Sequence, residues 1–436
     1  MRTSFYNYEL QEGDFLILYN AATDEVLILR PETAKLYSQY KNEPQKIENH
    51  HSELYQYLYN KRFIVSDDTN EVKEIIKEWE EAENSEQTFA LTINPTLDCN
   101  MKCWYCYEKH EHSMYMNESV RNSIIKLIER QVISGKFKRI AISFFGGEPL
   151  LNYQKCVWPI INKTDIACKK SNIKSTFHFT TNGFLLNDNI FHELENYDVS
   201  FQIPIDGNER LHNSIKRVGN SNGTYRHTIN NIKKALKHGF KVGVRFNYTA
   251  HFLPVFIDVL SDFQNLEKQE KGLINFDFQQ IWQDSKNGGK ETLEILHQLI
   301  KTYQEEGFYV NSEENRSTAF CYADKKNHIT INYDGNLFHC TARDFSANYA
   351  EGSLESDGTL KLNERHIRRM AIRYGNNTCH QCRAYPICHG GCTQHKLEYN
   401  KTTGCLKGFS TKQQEELLRK RLLWIIEEKN KFINKQ

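Results

Sequence analysis

The stretch Cys99-Asn-Met-Lys-Cys103-Trp-Tyr-Cys106 follows a short apolar segment and places three cysteines within eight residues. Thiolates are the ligands that iron–sulfur clusters take, and a four-iron cluster ordinarily has four of them. This spacing therefore predicts a loop that surrounds one cluster and leaves one iron without a cysteine ligand. A zinc site is the alternative, but zinc favours C-x2-C pairs with a fourth ligand. We expect no such fourth ligand from the neighbouring sequence.

Composition restricts the classes of protein that can carry this loop. The chain has 436 residues, 39% of them hydrophobic and only 8 of them Pro, which leaves room for two or three ordered domains. A net charge of +1 gives no general attraction for nucleic acid or anionic membranes, so we expect neither partner. The sequence has no apolar run long enough to span a bilayer and no export signal at its start. Twelve cysteines in such a chain favour metal sites in a cytoplasmic protein.

The chain divides by pattern into four segments. Residues 1–68 read as a hairpin followed by helices, a small α+β domain of winged-helix type, and the acidic stretch 69–87 reads as a linker helix. Residues 88–310 alternate strands with helices, which predicts an α/β fold with a parallel, TIM-like partial (β/α)6 barrel. Residues 311–436 are cysteine-rich and end in an amphipathic helix over about 410–430. The six strands expected in the third segment are 88–94, 139–145, 175–181, 199–206, 241–248 and 273–279.

Polar motifs follow several of these strands, at the edge where sites of such sheets gather. Gly146-Gly147-Glu148-Pro149 comes directly after the second strand, where glycines let backbone approach a ligand and Glu148 can accept hydrogen bonds from an ammonium group. Asn182 and Asp206 end the third and fourth strands. These side chains are therefore candidate ligand contacts.

The two motifs together resemble the radical S-adenosylmethionine (radical SAM) enzymes. The resemblance implies a [4Fe–4S] cluster on Cys99, Cys103 and Cys106, with S-adenosylmethionine (AdoMet) chelating the open iron and yielding a 5′-deoxyadenosyl radical when reduced. It also implies that the Gly146–Glu148 turn holds the amino group of AdoMet. Tyr105 occupies the position that contacts adenine in the family, with a plain core aromatic as the alternative.

The remaining AdoMet contacts are less defined by the resemblance. Pro204 stands where relatives often have a serine that contacts the ribose. Lys216 or Arg217 is a candidate for the basic contact to the AdoMet carboxylate, and Arg245 is another, although an ordinary surface charge is an equal alternative for each. Cys156 and Cys168 are read as core or surface thiols, and the sequence identifies no general base.

Seven further cysteines form the second strong signal: Cys321, Cys340, Cys379, Cys382, Cys388, Cys392 and Cys405. Their order and spacing resemble the SPASM extension of peptide-modifying radical SAM enzymes, which implies two auxiliary [4Fe–4S] clusters. By that resemblance the outer cluster takes Cys379, Cys382, Cys388 and Cys405. The inner one takes Cys321, Cys340 and Cys392, with its eighth ligand undefined. A zinc ribbon is the alternative for the four close cysteines, but it leaves Cys321, Cys340 and Cys405 unexplained.

The resemblance extends to function. Residues 1–66 look like the PqqD-like leader-recognition module of peptide maturases, with a simple packing domain as the alternative. We therefore expect an oxidoreductase that modifies a ribosomally made precursor peptide by a thioether or other cross-link, with flavodoxin or ferredoxin as electron donor. The alternatives are an anaerobic sulfatase-maturing enzyme and an inactive peptide-binding partner. Sulfatase-maturing relatives carry an Asp directly after the second auxiliary cysteine, whereas Thr341 follows Cys340 here and the nearest acid is Asp344.

Overall fold

The computed structural model describes residues 1–108, 110, 113–219, 223–284, 289–311, 321–343, 345–399 and 403–433. These residues form two compact units. The first contains residues 1–85, 317–324 and 368–436, and the second contains residues 86–316 and 325–367. Asp344 lies outside the described residues. The four segments predicted from the sequence stay predictions as domains.

The second unit is built on a large mixed sheet. Within the described residues this sheet has 11 strands in the order β12-β11-β10-β9-β8-β7-β6-β13-β14-β15-β16. Pairing is parallel from β12 through to β13 and antiparallel from β13 to β16. The strands are β6 (Thr88–Ile93), β7 (Arg139–Phe144), β8 (Lys174–Thr180), β9 (Val199–Ile205), β10 (Lys241–Tyr248), β11 (Ile274–Gln280), β12 (Tyr309–Asn311), β13 (His328–Ile331), β14 (Asn336–Phe338), β15 (Gly352–Leu354) and β16 (Leu360–Leu362).

Helices connect these strands and bury their apolar faces against the sheet. In α5 the side chain of Asn117 caps the N-terminus by accepting a hydrogen bond from Val120 N, and Ile124, Leu127 and Ile128 are buried, as their spacing predicts. Cys156 and Cys168 are fully buried in the same core. The helices are α5 (Glu118–Ile133), α6 (Trp158–Lys170), α7 (Asp188–Leu194), α8 (Glu209–Ile215), α9 (Tyr225–Lys237), α10 (Phe256–Leu260), α11 (Lys268–Lys271) and α12 (Gly289–Glu305), and α13 (Glu364–Ile372) begins in this unit.

The first unit joins the two ends of the chain. Its strands are β1 (Arg2–Thr3), β2 (Asn7–Glu12), β3 (Phe15–Asn20), β4 (Glu25–Leu29) and β5 (Ile64–Val65), with β2-β3-β4 and β1-β5 as separate antiparallel sheets. Its N-terminal helices are α1 (Pro31–Tyr40), α2 (Gln45–His50), α3 (Ser52–Asn60) and α4 (Glu71–Asn84). Its C-terminal ones are α14 (Asn377–His380), α15 (Tyr385–Cys388), α16 (Thr393–Tyr399) and α17 (Thr411–Ile433).

The β2-β3-β4 sheet has a core on each face. Leu16 and Leu18 pack with α1–α3 side chains such as Tyr37 and Leu58. Ile17 and Tyr19, which alternate with them along β3, belong to a cluster that includes residues of α15 and α17. The N-terminal strands are therefore part of the structure that supports the C-terminal cysteines.

The mixed α/β fold and its six successive parallel strands agree with the sequence prediction, and each strand bound differs by at most one residue. The sequence did not predict β12 or the β13–β16 extension as part of the same sheet. No helix in the described ranges combines the length and the apolar character that crossing a membrane requires. The winged-helix assignment stays a prediction.

Candidate active site

A cavity with about 1030 Å³ of empty space opens at the ends of the parallel strands of the second unit. Cys99, Cys103 and Cys106 all border it, and they belong to the loop that follows β6. Among the described residues that line this cavity, no fourth cysteine is present. A donor set of three soft ligands around an open space fits a cluster with one iron left for another ligand.

Each of the three thiols has a polar neighbour. Cys99 Sγ lies 3.9 Å from Asn182 Nδ2, and Cys103 Sγ lies 3.7 Å from Lys216 Nζ. Cys106 Sγ lies 3.2 Å from His110 Nε2. Burial raises the pKa of the Cys99 thiol to about 12 and raises the pKa values of the other two as well. Deprotonation of these thiols is therefore tied to the binding of a metal centre.

The Gly146-Gly147 turn packs backbone to backbone against the start of the cysteine loop. Gly147 N donates to Thr96 O at 3.1 Å, and Glu148 N donates to Asp98 O at 2.8 Å. A Cβ atom would meet Thr96 O at 2.4 Å if added to Gly146, and Asp98 O at 2.1 Å if added to Gly147. The sequence predicted these glycines as a place for a ligand, and both do line the cavity. Their absent side chains are also required by the loop itself.

Glu148 is fully buried and does not line the cavity. Its carboxylate accepts hydrogen bonds from Thr181 Oγ1 at 2.8 Å, Asn182 N at 2.8 Å and Leu150 N at 3.1 Å. Burial raises its pKa to about 7, although these donors and Lys216 act in the opposite direction. Glu148 thus fixes Thr181 and Asn182, which form part of the cavity wall.

Asp206 is the centre of a buried polar group beside the cysteine loop. It accepts hydrogen bonds from Tyr105 OH at 2.9 and 2.8 Å and from Asn247 Nδ2 at 3.2 Å. Lys216 Nζ lies 3.5 Å from Asp206 Oδ2. Burial acts to lower the pKa of Lys216, but its interactions with the Asp206 carboxylate and, to a smaller extent, with Cys103 and Tyr105 outweigh burial and hold that pKa well above its usual value. Lys216 therefore stays charged at the cavity wall.

The other predicted AdoMet contacts fall into two groups, those that line the cavity and those that do not. Tyr105, Asn182, Lys216 and Arg245 line the cavity, as does Pro204. Arg245 Nε donates to Asn247 Oδ1 at 3.0 Å. Arg217 is exposed, lies outside the lining, and its Nε donates to Asn213 O at 3.3 Å. Asp206 is also outside the lining and touches the site through Tyr105 and Lys216.

Sequence reasoning missed several residues of this site, among them Asn247, which donates to Asp206 and lines the cavity. His110 contacts the Cys106 thiol, Thr181 holds Glu148, and Trp282, which is 67% exposed, lies at the cavity. Thr181 was detectable because it stands directly at a strand end beside Asn182. His110 and Trp282 belong to loops whose contacts depend on the tertiary fold.

A second group of thiols lies in the first unit. Four cysteines border a cavity with about 310 Å³ of empty space: Cys379, Cys382, Cys388 and Cys405. Gly390 lines the same cavity and lies against Gly375, since a Cβ added to Gly390 would meet Gly375 Cα at 2.5 Å. Cys321 and Cys392 belong to the first unit and Cys340 to the second. The inner set stays a prediction from the resemblance.

Comparison with known proteins supports the interpretation of the three-cysteine cavity. Residues 93–260 match the family model described as the Radical SAM superfamily. The chain carries a radical SAM domain. The predicted resemblance to radical SAM enzymes is therefore confirmed, and the roles of the individual motif residues stay predictions.

Two curated relatives are informative. The radical SAM cyclopropyl synthase TigE of Paramaledivibacter caminithermalis is 26% identical over 238 residues, which are 50% of this chain and 48% of that protein. The chain thus matches about half the length of that relative. A cysteine-type anaerobic sulfatase-maturating enzyme of Clostridium novyi is 20% identical over 349 residues, 71% of this chain and 89% of that protein.

Solved structures share the radical SAM fold. The enzyme anSMEcpe, solved with bound AdoMet, has a TM-score of 0.59 at 16% identity and covers 78% of this chain and 99% of its own. Streptococcus suis SuiB, solved with the precursor peptide SuiA, has a TM-score of 0.52 at 15% identity and covers 92% of this chain and 96% of its own. The likeness to these structures shows the fold.

Proposed function

We propose that this chain is a radical SAM/SPASM maturase that modifies a ribosomally made precursor peptide by a thioether or other cross-link. The observation that carries the proposal is the presence of two distinct thiol cavities. One has three cysteines and room for a further ligand, and the other has four cysteines. A zinc-ribbon protein requires only a cavity with four cysteines.

Cys99, Cys103 and Cys106 would hold the [4Fe–4S] cluster at which AdoMet binds. When bound, the cluster and AdoMet supply a 5′-deoxyadenosyl radical that abstracts hydrogen from the substrate. In this proposal the Gly146-Gly147 turn, which lines the cavity, lies against the amino end of AdoMet, and Tyr105 contacts the adenine. Glu148, which the sequence predicted as a direct contact, acts from behind the wall by fixing Thr181 and Asn182.

The positive charge for the AdoMet carboxylate comes from Lys216 or Arg245, which line the cavity. Arg217 is the weaker candidate because it is exposed and bonded to Asn213 O. Asp206 acts by fixing Lys216 and Tyr105 rather than by touching AdoMet.

The C-terminal cysteines would hold two auxiliary [4Fe–4S] clusters, as the resemblance implies. Such clusters need thiols kept reduced, which favours a cytoplasmic location. Flavodoxin or ferredoxin is the proposed electron donor. A peptide substrate is supported by the likeness to SuiB, which was solved bound to its precursor peptide SuiA.

Formylglycine formation, as in anaerobic sulfatase maturation, is the second candidate. The likeness to anSMEcpe and to the Clostridium novyi enzyme favours it. Thr341 counts against it, because relatives of that kind have an acid directly after the second auxiliary cysteine. An inactive peptide-binding partner is the third candidate, and the intact cysteine loop argues against it.

An anaerobic iron count with Mössbauer spectroscopy tests the proposal. Reconstituted wild type should contain about twelve irons and the Cys99/Cys103/Cys106→Ala variant about eight, as three four-iron centres require. The variant should also release no 5′-deoxyadenosine from AdoMet. Cys168→Ala is the matched control, because this buried thiol lies in the core of the same unit. If wild type contained about four irons together with zinc, and the triple variant contained no iron, the proposal of a maturase with auxiliary clusters would be refuted.

A further inference from the structure

A cluster of metal-binding side chains without cysteine lies outside both thiol cavities. His339, Glu351 and His366 each offer a ligand atom, and these atoms all lie within 4.8 Å of one another. His339 follows β14, Glu351 precedes β15, and His366 lies in the first turn of α13. Three separate segments of the second unit thus converge on one point.

The distances suit a small divalent ion. His339 Nδ1 lies 3.1 Å from Glu351 Oε2, and His366 Nδ1 lies 3.9 Å from the same oxygen. Zinc binds imidazole nitrogen and carboxylate oxygen at about 2.0–2.2 Å, which places the ligand atoms of a tetrahedral site roughly 3.2–3.6 Å apart. The two observed separations lie on either side of that value. The imidazole rings of His339 and His366 are stacked with centroids 4.9 Å apart.

The approach of His339 Nδ1 to Glu351 Oε2 is a close contact without hydrogen-bond geometry. Although His339 Nδ1 is close to Glu351, no hydrogen bond of acceptable geometry reaches it from any described residue. Its side chain is 1% exposed and that of Glu351 is 3% exposed. A buried polar atom without a hydrogen bond costs free energy, and two ligand atoms that approach without hydrogen-bond geometry suit a shared cation.

The backbone holds the cluster in place independently of these side chains. Glu351 N donates to Leu337 O at 2.7 Å, and Asn363 N donates to Glu351 O at 3.1 Å. Asn363 Oδ1 in turn accepts from His366 N at 3.3 Å. The His366 side chain is 17% exposed, so a water molecule can reach the fourth position from its side.

We propose that His339, Glu351 and His366 form a Zn²⁺ site with two histidines, one carboxylate and one water. The ion joins the end of β14, the start of β15 and the N-terminus of α13. It is a structural site, distinct from any cluster held by cysteines, and it does not depend on the function proposed above.

The test measures zinc in the full-length protein after its cysteines have been filled by iron–sulfur reconstitution, so that thiols do not compete. Anaerobically purified holoprotein supplied with Zn²⁺ should retain one zinc per chain. Zinc-edge X-ray absorption should give nitrogen and oxygen scattering at about 2.0–2.1 Å and no sulfur near about 2.3 Å. Zinc should also raise the thermal unfolding midpoint.

Glu351→Gln and His366→Ala should each lose that zinc and the shift in unfolding midpoint, while their iron content stays at the wild-type level. His192→Ala is the matched control, because His192, Glu195 and His238 form a similar group in which His192 and Glu195 are exposed. Zinc surrounded by sulfur would overturn the proposal. So would a zinc content that is equal in wild type and both variants, which would leave a metal-free His–Glu–His cluster.

Discussion

The carboxylate of Glu148 is surrounded by protein donors, yet its pKa lies at about 7. Three hydrogen bonds favour its charged form, and complete burial opposes it more strongly. Lys216 is a charged group whose influence also favours the ionised carboxylate. Burial of the Glu148 carboxylate therefore lowers the stability of the folded protein at neutral pH. The residue lies behind the wall of the cavity.

Glu148→Gln tests that cost through pH. The folded pKa of Glu148 is raised from 4.5 to about 7, so its contribution to stability is present below pH 4.5 and is lost as pH rises through 7. The unfolding midpoint of the wild type without cofactors should fall relative to that of the variant as the pH rises from 4.5 to about 7. AdoMet binding by the variant should weaken at least about tenfold, or about 1.4 kcal/mol. If the unfolding midpoints of wild type and variant changed with pH in parallel, the raised pKa of Glu148 would be contradicted.

Gly147→Ala tests the contact between the turn and the cysteine loop. The new Cβ would meet Asp98 O at 2.1 Å, so backbone must move. We expect a loss of about 1–3 kcal/mol of stability, as in other overpacked sites, together with a lower iron content. Gly243→Ala in β10 is the control, since its nearest neighbour would be Asn275 Oδ1 at an ordinary 3.4 Å. Equal effects of the two changes would refute the packing argument.

The motif residues were predictable from sequence because their spacing is local. The cysteines and Gly146–Glu148 follow from neighbours a few positions apart. The group formed by Asp206, Tyr105 and Asn247 was not predictable, since its members come from different loops and strands. Arg217 and Lys216 are adjacent in sequence, and only the fold distinguishes the exposed one from the buried one.

At the scale of elements, the β2-β3-β4 sheet has two edges that no described strand covers. An extended peptide can bind a sheet by adding a strand at such an edge. Strand β4 is the more apolar edge, and its Ile28 is 56% exposed. Strand β2 is polar along the same length. The proposed leader peptide is therefore expected at β4.

Ile28→Asp should weaken binding of the precursor peptide about tenfold, which corresponds to about 1.4 kcal/mol, because a charge on an edge strand opposes strand addition. AdoMet cleavage without peptide should be unchanged. Gln11→Asp on β2 is the matched control. Fluorescence anisotropy with labelled precursor gives the affinities, and an unchanged affinity for Ile28→Asp would exclude this edge. Deletion of residues 1–66 is a poorer test, because Ile17 and Tyr19 share a core with α17.

At the scale of the whole molecule, each thiol cavity is lined by residues of a single unit. The pairing of β6 with β13 joins residues near 90 to residues near 330, and the first unit joins both chain ends. No local pattern encodes contacts of such separation, which explains why the sequence predicted the elements but not this grouping.

Cys382→Ala with Cys388→Ala tests whether the two cavities have separate roles. This double variant should lose about four irons, the content of one cluster, and should still cleave AdoMet with dithionite. It should form little or no modified peptide, as measured by mass spectrometry. Loss of AdoMet cleavage in a variant that still holds about eight irons would show that the roles are not separate.

The backbone contact between Gly147 and the segment 96–98 also determines how this region tolerates insertions and deletions. Its hydrogen bonds run from main-chain nitrogens to main-chain carbonyls, so they depend on the number of residues between β6 and Cys99 more than on their identity. A single inserted residue would shift the carbonyls out of register with the turn. Loop grafting between relatives should therefore keep the length of this connection fixed, even where every exposed side chain in it is exchanged.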